Sequence, residues 1–243
     1  MKLHSGVVKL VILLLVTTLY GQLVAPFARS FGSTEAYYLF NKGLLAVLLV
    51  AYVVVTGQAR AAGLTGSSRL ATLPVYWPLF LLTVLLMLAP TTPPDAQTLM
   101  LFAGVAVSVG IAEELMFRGL VFHWFRDQTV RRQILISALA FGGAHLFGLL
   151  VTDAVAVILA QSVFASAVGA VIACARARDD SIWLPISVHA GFDFVALTAA
   201  GGLGAALADT PETVLRLLVS GLLIWLWAAW LIWRAPRYAP APA

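Results

Sequence analysis

Apolar residues in this chain run in blocks about 20 long, the length a helix needs to cross a hydrocarbon core, with short polar breaks between them. Measured against that length, the pattern predicts eight spanning helices, at about 7–27, 37–57, 73–90, 98–123, 133–150, 152–174, 181–201 and 213–233. The breaks carry punctuation suited to loops: Gly57 with Arg60 and Arg69, Pro90 to Asp95, and Arg126 to Arg132. The first run reads as a retained helix rather than a signal peptide. Its apolar stretch is long, and Pro26 follows Ala25, the one small-residue cleavage point. The predicted architecture is all-α: a polytopic transmembrane bundle forming a single integral-membrane domain over residues 1–243, with a disordered Pro/Ala-rich tail at 235–243.

Composition supports the same class. Of 243 residues, 61% are hydrophobic and 11% charged, with a mean hydropathy of +0.96. Soluble domains average about 45–50% apolar and about 25% charged residues, so a water-soluble globule and a disordered chain are both excluded. The formal charge of +4 does not indicate a nucleic-acid partner, because the cations lie singly or in pairs and form no basic stripe. Cys174 is the single cysteine, which excludes an intrachain disulfide; it reads as a small packing residue.

The cations do set an orientation. With eight spans and a cytoplasmic N-terminus, twelve of the fifteen Lys and Arg residues fall on the inner side, and only Arg29, Lys42 and Arg216 fall at outer ends. Trp77, Trp124, Trp183, Trp230 and Trp233 fall near the same inner interface. Both termini are therefore expected in the cytoplasm. The frugal use of Lys and the short loops suggest the plasma membrane of a prokaryotic cell. Small residues at four-residue spacing, Ser162 with Ser166 and Ala165 with Gly169, suit close helix packing.

In so apolar a chain the polar residues inside the spans mark function, since each ionisable group near mid-bilayer costs about 2.5–3.5 kcal/mol on insertion scales. Glu113, Glu114 and Arg118 lie on the fourth run, His145 on the fifth, and His189 with Asp193 on the seventh. At a rise of 1.5 Å per residue, Glu113 and His145 each lie about 18 Å from the inner end, His189 about 10 Å and Asp193 about 16 Å. Three helices thus supply acids and imidazoles to one layer. Glu114 and Arg118, four apart, pair along one face. Glu113 is rotated about 100° away, has Phe117 beneath it, and is left without a local partner. His189 and Asp193, also four apart, are placed to hydrogen-bond and orient the imidazole. Gly142 and Gly143 permit close backbone approach beside His145.

Each feature also has a structural reading: the Glu114–Arg118 pair as a staple, either histidine as an interhelical hydrogen bonder. His4 and His123 read as incidental, and Asp153, Asp179, Asp180, Asp209 and Glu212 as solvated loop charges or helix N-terminal acids. No Ser stands in a Gly-x-Ser-x-Gly context, and nothing activates Ser108, so an acyl-enzyme lacks its nucleophile. A desolvated carboxylate with a histidine can instead activate water, Glu113 as base beside His145, with His189 and the group at 193 facing the oxyanion. His145, His189 and a carboxylate also match a zinc site in ligand type, though no HExxH pair is present, so residue types alone leave a divalent metal open.

Taken in order, Glu113-Glu114-x-x-x-Arg118, Phe141-x-x-x-His145 and His189-x-x-x-Asp193 resemble the motif series of the CAAX protease and bacteriocin-processing family, which includes the Ras-converting CAAX endopeptidases. The resemblance covers about residues 98–201, by motif order and spacing. It implies a multi-span, glutamate-type, metal-independent endopeptidase with no cofactor. Glu113 and His145 would activate the water, His189 and Asp193 would occupy the oxyanion positions, and Glu114 and Arg118 would support them. Asp193 departs from the Asn typical of CAAX-cleaving members, and an ionised Asp there would repel an oxyanion unless protonated or paired. Implied partners are the lipid bilayer and a peptide or membrane-protein substrate, lipidated or not. Two rival classes remain: a non-catalytic membrane binding or immunity protein that keeps the polar network, and an ion-coupled transporter. The absence of internal repeats disfavours the transporter.

Overall fold

A computed structural model describes residues 2–89, 92 and 94–235. Among the described residues the only regular structure is helix, with no strand, and eight helical segments are long and apolar enough to cross a membrane. They are α1 (Lys2–Val24), α2 (Thr34–Val55), α3 (Trp77–Met87), α4 (Ala96–Glu114), α5 (Val130–His145), α6 (Val155–Arg176), α7 (Trp183–Ala200) and α8 (Pro211–Arg234). Four spans include a stretch of other helix type: Ala25–Ser30 after α1, Leu70–Tyr76 before α3, Leu115–Val121 after α4 and Leu146–Leu150 after α5. The expected tail lies, apart from Ala235, outside the described residues.

Local chemistry explains the boundaries. Ser33, Asp95, Thr129 and Thr210 each cap a helix start by accepting a backbone N–H with the side chain. At Asp95 the bonds from the Thr98 backbone and hydroxyl, both 2.9 Å, hold the carboxyl below the usual carboxylate range. Pro74 and Pro78 flank the start of α3, where the backbone is 3₁₀ before it becomes α-helical. At the end of α7, Gly201 takes the left-handed conformation (φ 81°) that terminates the helix.

The bundle is built around α6, the most buried span. It packs between α5 and α8, while α4 packs between α2 and α7. Close approach of α5 to α6 depends on glycine. A Cβ at Gly142 would lie 2.5 Å from the Ser166 Cβ and 2.6 Å from the Ser162 carbonyl oxygen, and one at Gly169 would lie 2.9 Å from the Phe141 ring. The contact is sealed by the Ser162 hydroxyl, which donates to the Gly142 carbonyl at 2.7 Å. The small-residue spacing read from the sequence thus marks a real helix interface, whereas Gly143 has open space where a Cβ would stand.

One end of the bundle is closed by packed loops. Gly6 of α1 lies against Phe125, and Arg131 donates to the Trp233 carbonyl at 2.6 Å, so the described ends of the chain are on this same side. Residues 63–69 dock on 176–183: Trp183 donates to the Leu64 carbonyl (2.8 Å) and the Ile182 N–H to the Gly63 carbonyl (3.2 Å). The reading of Asp179 as a solvated charge is corrected here. It is 2% exposed and accepts from the Arg69 and Ser181 backbone N–H groups at 2.7 and 3.0 Å. Burial is tolerated because its oxygens are satisfied by fixed donors.

This loop-closed end carries the Arg-rich segments, so it is the end expected to face the cytosol. Membrane-impermeant maleimide applied to intact cells is predicted to label Asp209→Cys, which is exposed at the opposite end, and not Arg126→Cys. Disruption of the membrane should expose the second site. The buried Cys174 gives little background.

Candidate active site

Burying charge in a bundle interior is tolerable only when the charges are paired and hydrogen-bonded. The charged side chains predicted to share a layer on three helices pair with one another there, and a fourth helix, α2, adds a cation. Glu114 and Arg118 are fully buried, and Arg118 Nη1 donates to Glu114 Oε1 at 3.1 Å. The same oxygen accepts from His189 Nδ1 of α7 at 2.7 Å. One carboxylate oxygen therefore ties α4 to α7. The Arg118 guanidinium also lies 4.4 Å above the Phe141 ring of α5, a cation–π contact that stabilises charge where water is excluded. The Tyr76 hydroxyl, Glu114 Oε2, and Arg118 Nε and Nη2 are buried without a hydrogen-bond partner among the described residues.

The backbone under this network departs from α-helical geometry. Leu115–Val121 winds as a π-helix, and all seven of its residues are buried. A π turn shifts the hydrogen-bond register, a distortion common at functional sites. Side chains meet two of its carbonyls: the Ser137 hydroxyl donates to Phe117 O at 3.0 Å, and Arg176 Nε donates to Arg118 O at 3.2 Å. Arg176 also donates to the Asp179 carbonyl, which links this turn to the closed end of the bundle.

Glu113, one residue before Glu114, faces another way. Its Oε1 accepts from the Lys42 ammonium of α2 at 2.8 Å. Its Oε2 lies 3.9 Å from His189 Nε2, too far for a direct hydrogen bond. Asp193 Oδ2 lies 3.5 Å from the same nitrogen. His189 therefore has one ring nitrogen fixed by Glu114 and the other turned towards Glu113 and Asp193. His145 ends α5 with Nδ1 2.9 Å from the Phe141 carbonyl oxygen, an acceptor; in the neutral ring this contact puts the proton on Nδ1 and leaves Nε2 as an acceptor. Glu113 is within electrostatic reach of both imidazoles. Phe141 stands at the centre: its ring is edge-on to His145 (5.0 Å), His189 (5.8 Å) and Phe117 (5.2 Å). The layer is not fully sealed: the Glu113, Lys42 and Asp193 side chains keep exposures of 15%, 25% and 27%.

All six site residues expected from the sequence meet in this layer, but the contacts differ from the sequence reading in two ways. Glu113, without a partner on its own helix, meets Lys42 from another. The hydrogen bond that orients His189 comes from Glu114 across the helix interface, while Asp193 makes only the longer contact. Lys42, counted at an outer helix end, lies well inside the bundle. Taking Arg118 from the inner cations and Lys42 from the outer ones leaves eleven and two, so the asymmetry stands. The signal that would have found Lys42 is the N-cap at Ser33, which starts the helix earlier and puts the lysine more than two turns deep.

Among the described residues no three His, Cys, Asp or Glu side chains converge as a metal-holding set. The Lys42 ammonium also stands on Glu113 Oε1, a position where a divalent cation would be repelled.

Removing one member of a fully buried pair leaves the other uncompensated, at a cost of about 3–5 kcal/mol. Arg118→Met should therefore lower the thermal melting point in detergent sharply, and Arg118→Met with Glu114→Gln should recover part of the loss. Equal melting of single and double variants would show that the two residues are not coupled.

No curated protein and no solved structure matches the chain. Residues 95–195 match the family model described as Rce1-like, type II CAAX prenyl endopeptidase. That segment, which holds Glu113, Glu114, Arg118, His145, His189 and Asp193, is similar to this family of CAAX prenyl endopeptidases.

Proposed function

We propose that this protein is an intramembrane endopeptidase that hydrolyses peptide bonds through a water activated by Glu113 and His145. The observation that carries this reading is the asymmetry of the Glu113 carboxylate. Oε1 is held by Lys42, which leaves Oε2 on the side of His189 as a free acceptor in a partly exposed layer. A general base needs such an oriented lone pair beside a site where water can stand.

In this mechanism Glu113 Oε2 takes a proton from water while His145 Nε2 accepts a hydrogen bond from the same water and aligns it. The hydroxide adds to the substrate carbonyl carbon, and charge develops on the carbonyl oxygen. His189 Nε2 presents a proton to that oxyanion when the ring carries its charge, with Glu114 on Nδ1 as counter-charge. Glu113 then returns its proton to the leaving amide nitrogen as the C–N bond breaks, so the enzyme ends as it began. Glu114 and Arg118 do not touch substrate; they fix His189 and the π turn. No metal or cofactor has a part in these steps.

The substrate class follows from where the site lies. A scissile bond must enter a layer inside the bundle, so substrates are peptides or membrane-protein segments delivered from the bilayer or its inner surface, prenylated or not. We place the opening towards the cytosol by the cation asymmetry, and take the cell to be prokaryotic from the frugal use of Lys and the short loops.

Glu113→Gln and His145→Ala are each expected to lower cleavage by about 10²–10⁴-fold, the usual contribution of a general base, with melting behaviour retained. The test compares the membrane and secreted peptides of cells carrying wild-type or Glu113→Gln protein, with a farnesylated CAAX peptide as an in vitro probe. Fragments present only with wild type support the reading. Identical peptide sets would favour the non-catalytic binding or immunity reading.

A further inference from the structure

Counting charges in the site exposes a residue that the family motifs do not include. Three carboxylates, Glu113, Glu114 and Asp193, share one layer with two permanent cations, Arg118 and Lys42. Arg118 is committed to Glu114 at 3.1 Å, on the fully buried side. The permanent cation left for the other two acids is Lys42, which is 2.8 Å from Glu113 and in electrostatic contact with Asp193. The groups facing Lys42 are Tyr20 from α1, Tyr38 from its own helix, Glu113 from α4, His145 from α5 and Asp193 from α7. Those facing Glu113 are Lys42, Arg118, His145, His189 and Asp193. Lys42 thus meets charged groups from α4, α5 and α7, and Glu113 meets them from α2, α5 and α7 as well as Arg118 on its own span.

We infer that Lys42 is a positioning residue of this site: its ammonium keeps Glu113 ionised with Oε2 free, and serves as the counter-charge that lets an aspartate stand at position 193. The inference rests on the endopeptidase reading for its purpose but not for its test. Two carboxylates facing one imidazole repel each other, and with a single histidine between them one would hold a proton. A protonated Glu113 is useless as a base. An ammonium on Glu113 Oε1 relieves the repulsion without occupying the oxygen that meets water. It also gives the site a way to respond during turnover. When Glu113 takes the proton from water, Lys42 loses its partner and its charge becomes available to Asp193, so negative charge at 193 is offset as the oxyanion forms.

The assay is infrared spectroscopy of purified full-length protein in detergent at neutral pH, which distinguishes carboxylates from protonated carboxyls without any substrate. Lys42→Met should show a protonated-carboxyl band, equivalent to one group, that wild type lacks and that disappears in Lys42→Met with Glu113→Gln. Lys42→Gln, which keeps a hydrogen-bond donor but no charge, should show the same band. Lys42→Arg should not. Adding Asp193→Asn to Lys42→Met should weaken the band, because the repelling charge is gone. If Lys42→Met misfolds by circular dichroism, Lys42→Gln alone decides the matter. A folded Lys42→Met or Lys42→Gln protein with the wild-type carboxyl spectrum overturns the inference, as does a band that survives Glu113→Gln. Failure to find a cleaved substrate would overturn the endopeptidase reading and leave this result untouched.

Discussion

A charge inside a membrane-spanning bundle must find its counter-charge there, because water is not available in quantity to solvate it. That requirement organises the centre of this protein. Glu114 is the pivot: one of its oxygens holds both Arg118 on its own span and His189 on α7. Neither helix can rotate freely without stranding a buried charge, so the pair fixes the face that each presents. The π turn at Leu115–Val121 follows directly, and the Ser137 and Arg176 side chains supply donors to its carbonyls.

On this frame the two neighbouring glutamates divide their work by orientation. Glu114 points into the sealed interior and is fully buried; Glu113, one residue earlier, turns to the partly exposed side and meets Lys42. The same residue type thus serves structure at one position and offers a free oxygen at the next. Phe141 reinforces the division: one ring touches Arg118 on the sealed side and stands edge-on to both imidazoles on the open side. A single aromatic side chain therefore links the structural pair to the groups placed for chemistry.

Much of this was legible in the sequence. Eight helices were readable because each apolar block matches the thickness of a bilayer, and the bounds differ from the structure by a few residues. The convergence of Glu113, His145, His189 and Asp193 was readable because helical rise converts position into depth. The Glu114–Arg118 pair was readable because four-residue spacing stays on one helix face. What escaped were contacts between helices and departures from α-helical register. Lys42 reads as a helix-end residue because the apolar run begins later than the helix itself, which Ser33 caps. Four-residue spacing points His189 to Asp193 on its own helix, whereas Glu114, closer in space, is 75 residues away in sequence. Asp179 looked like any loop acid until the docking of 63–69 against it supplied backbone donors. The π turn has no signature in residue spacing, since the side chains that meet its carbonyls come from other helices.

Charged side chains from separate helices converge on one layer, and the approach of α2 to α4 at Lys42 and Glu113 is the contact that residue spacing does not reveal. It can be measured by cross-linking in native membranes, with a short thiol-to-thiol reagent, in a Cys174→Ser background carrying Lys42→Cys and Glu113→Cys. The account predicts efficient intramolecular cross-linking for this pair and none when Val47→Cys, on the outward face of the same helix, replaces Lys42→Cys. Cross-linking that is equal for both pairs, or absent from the first, would contradict it.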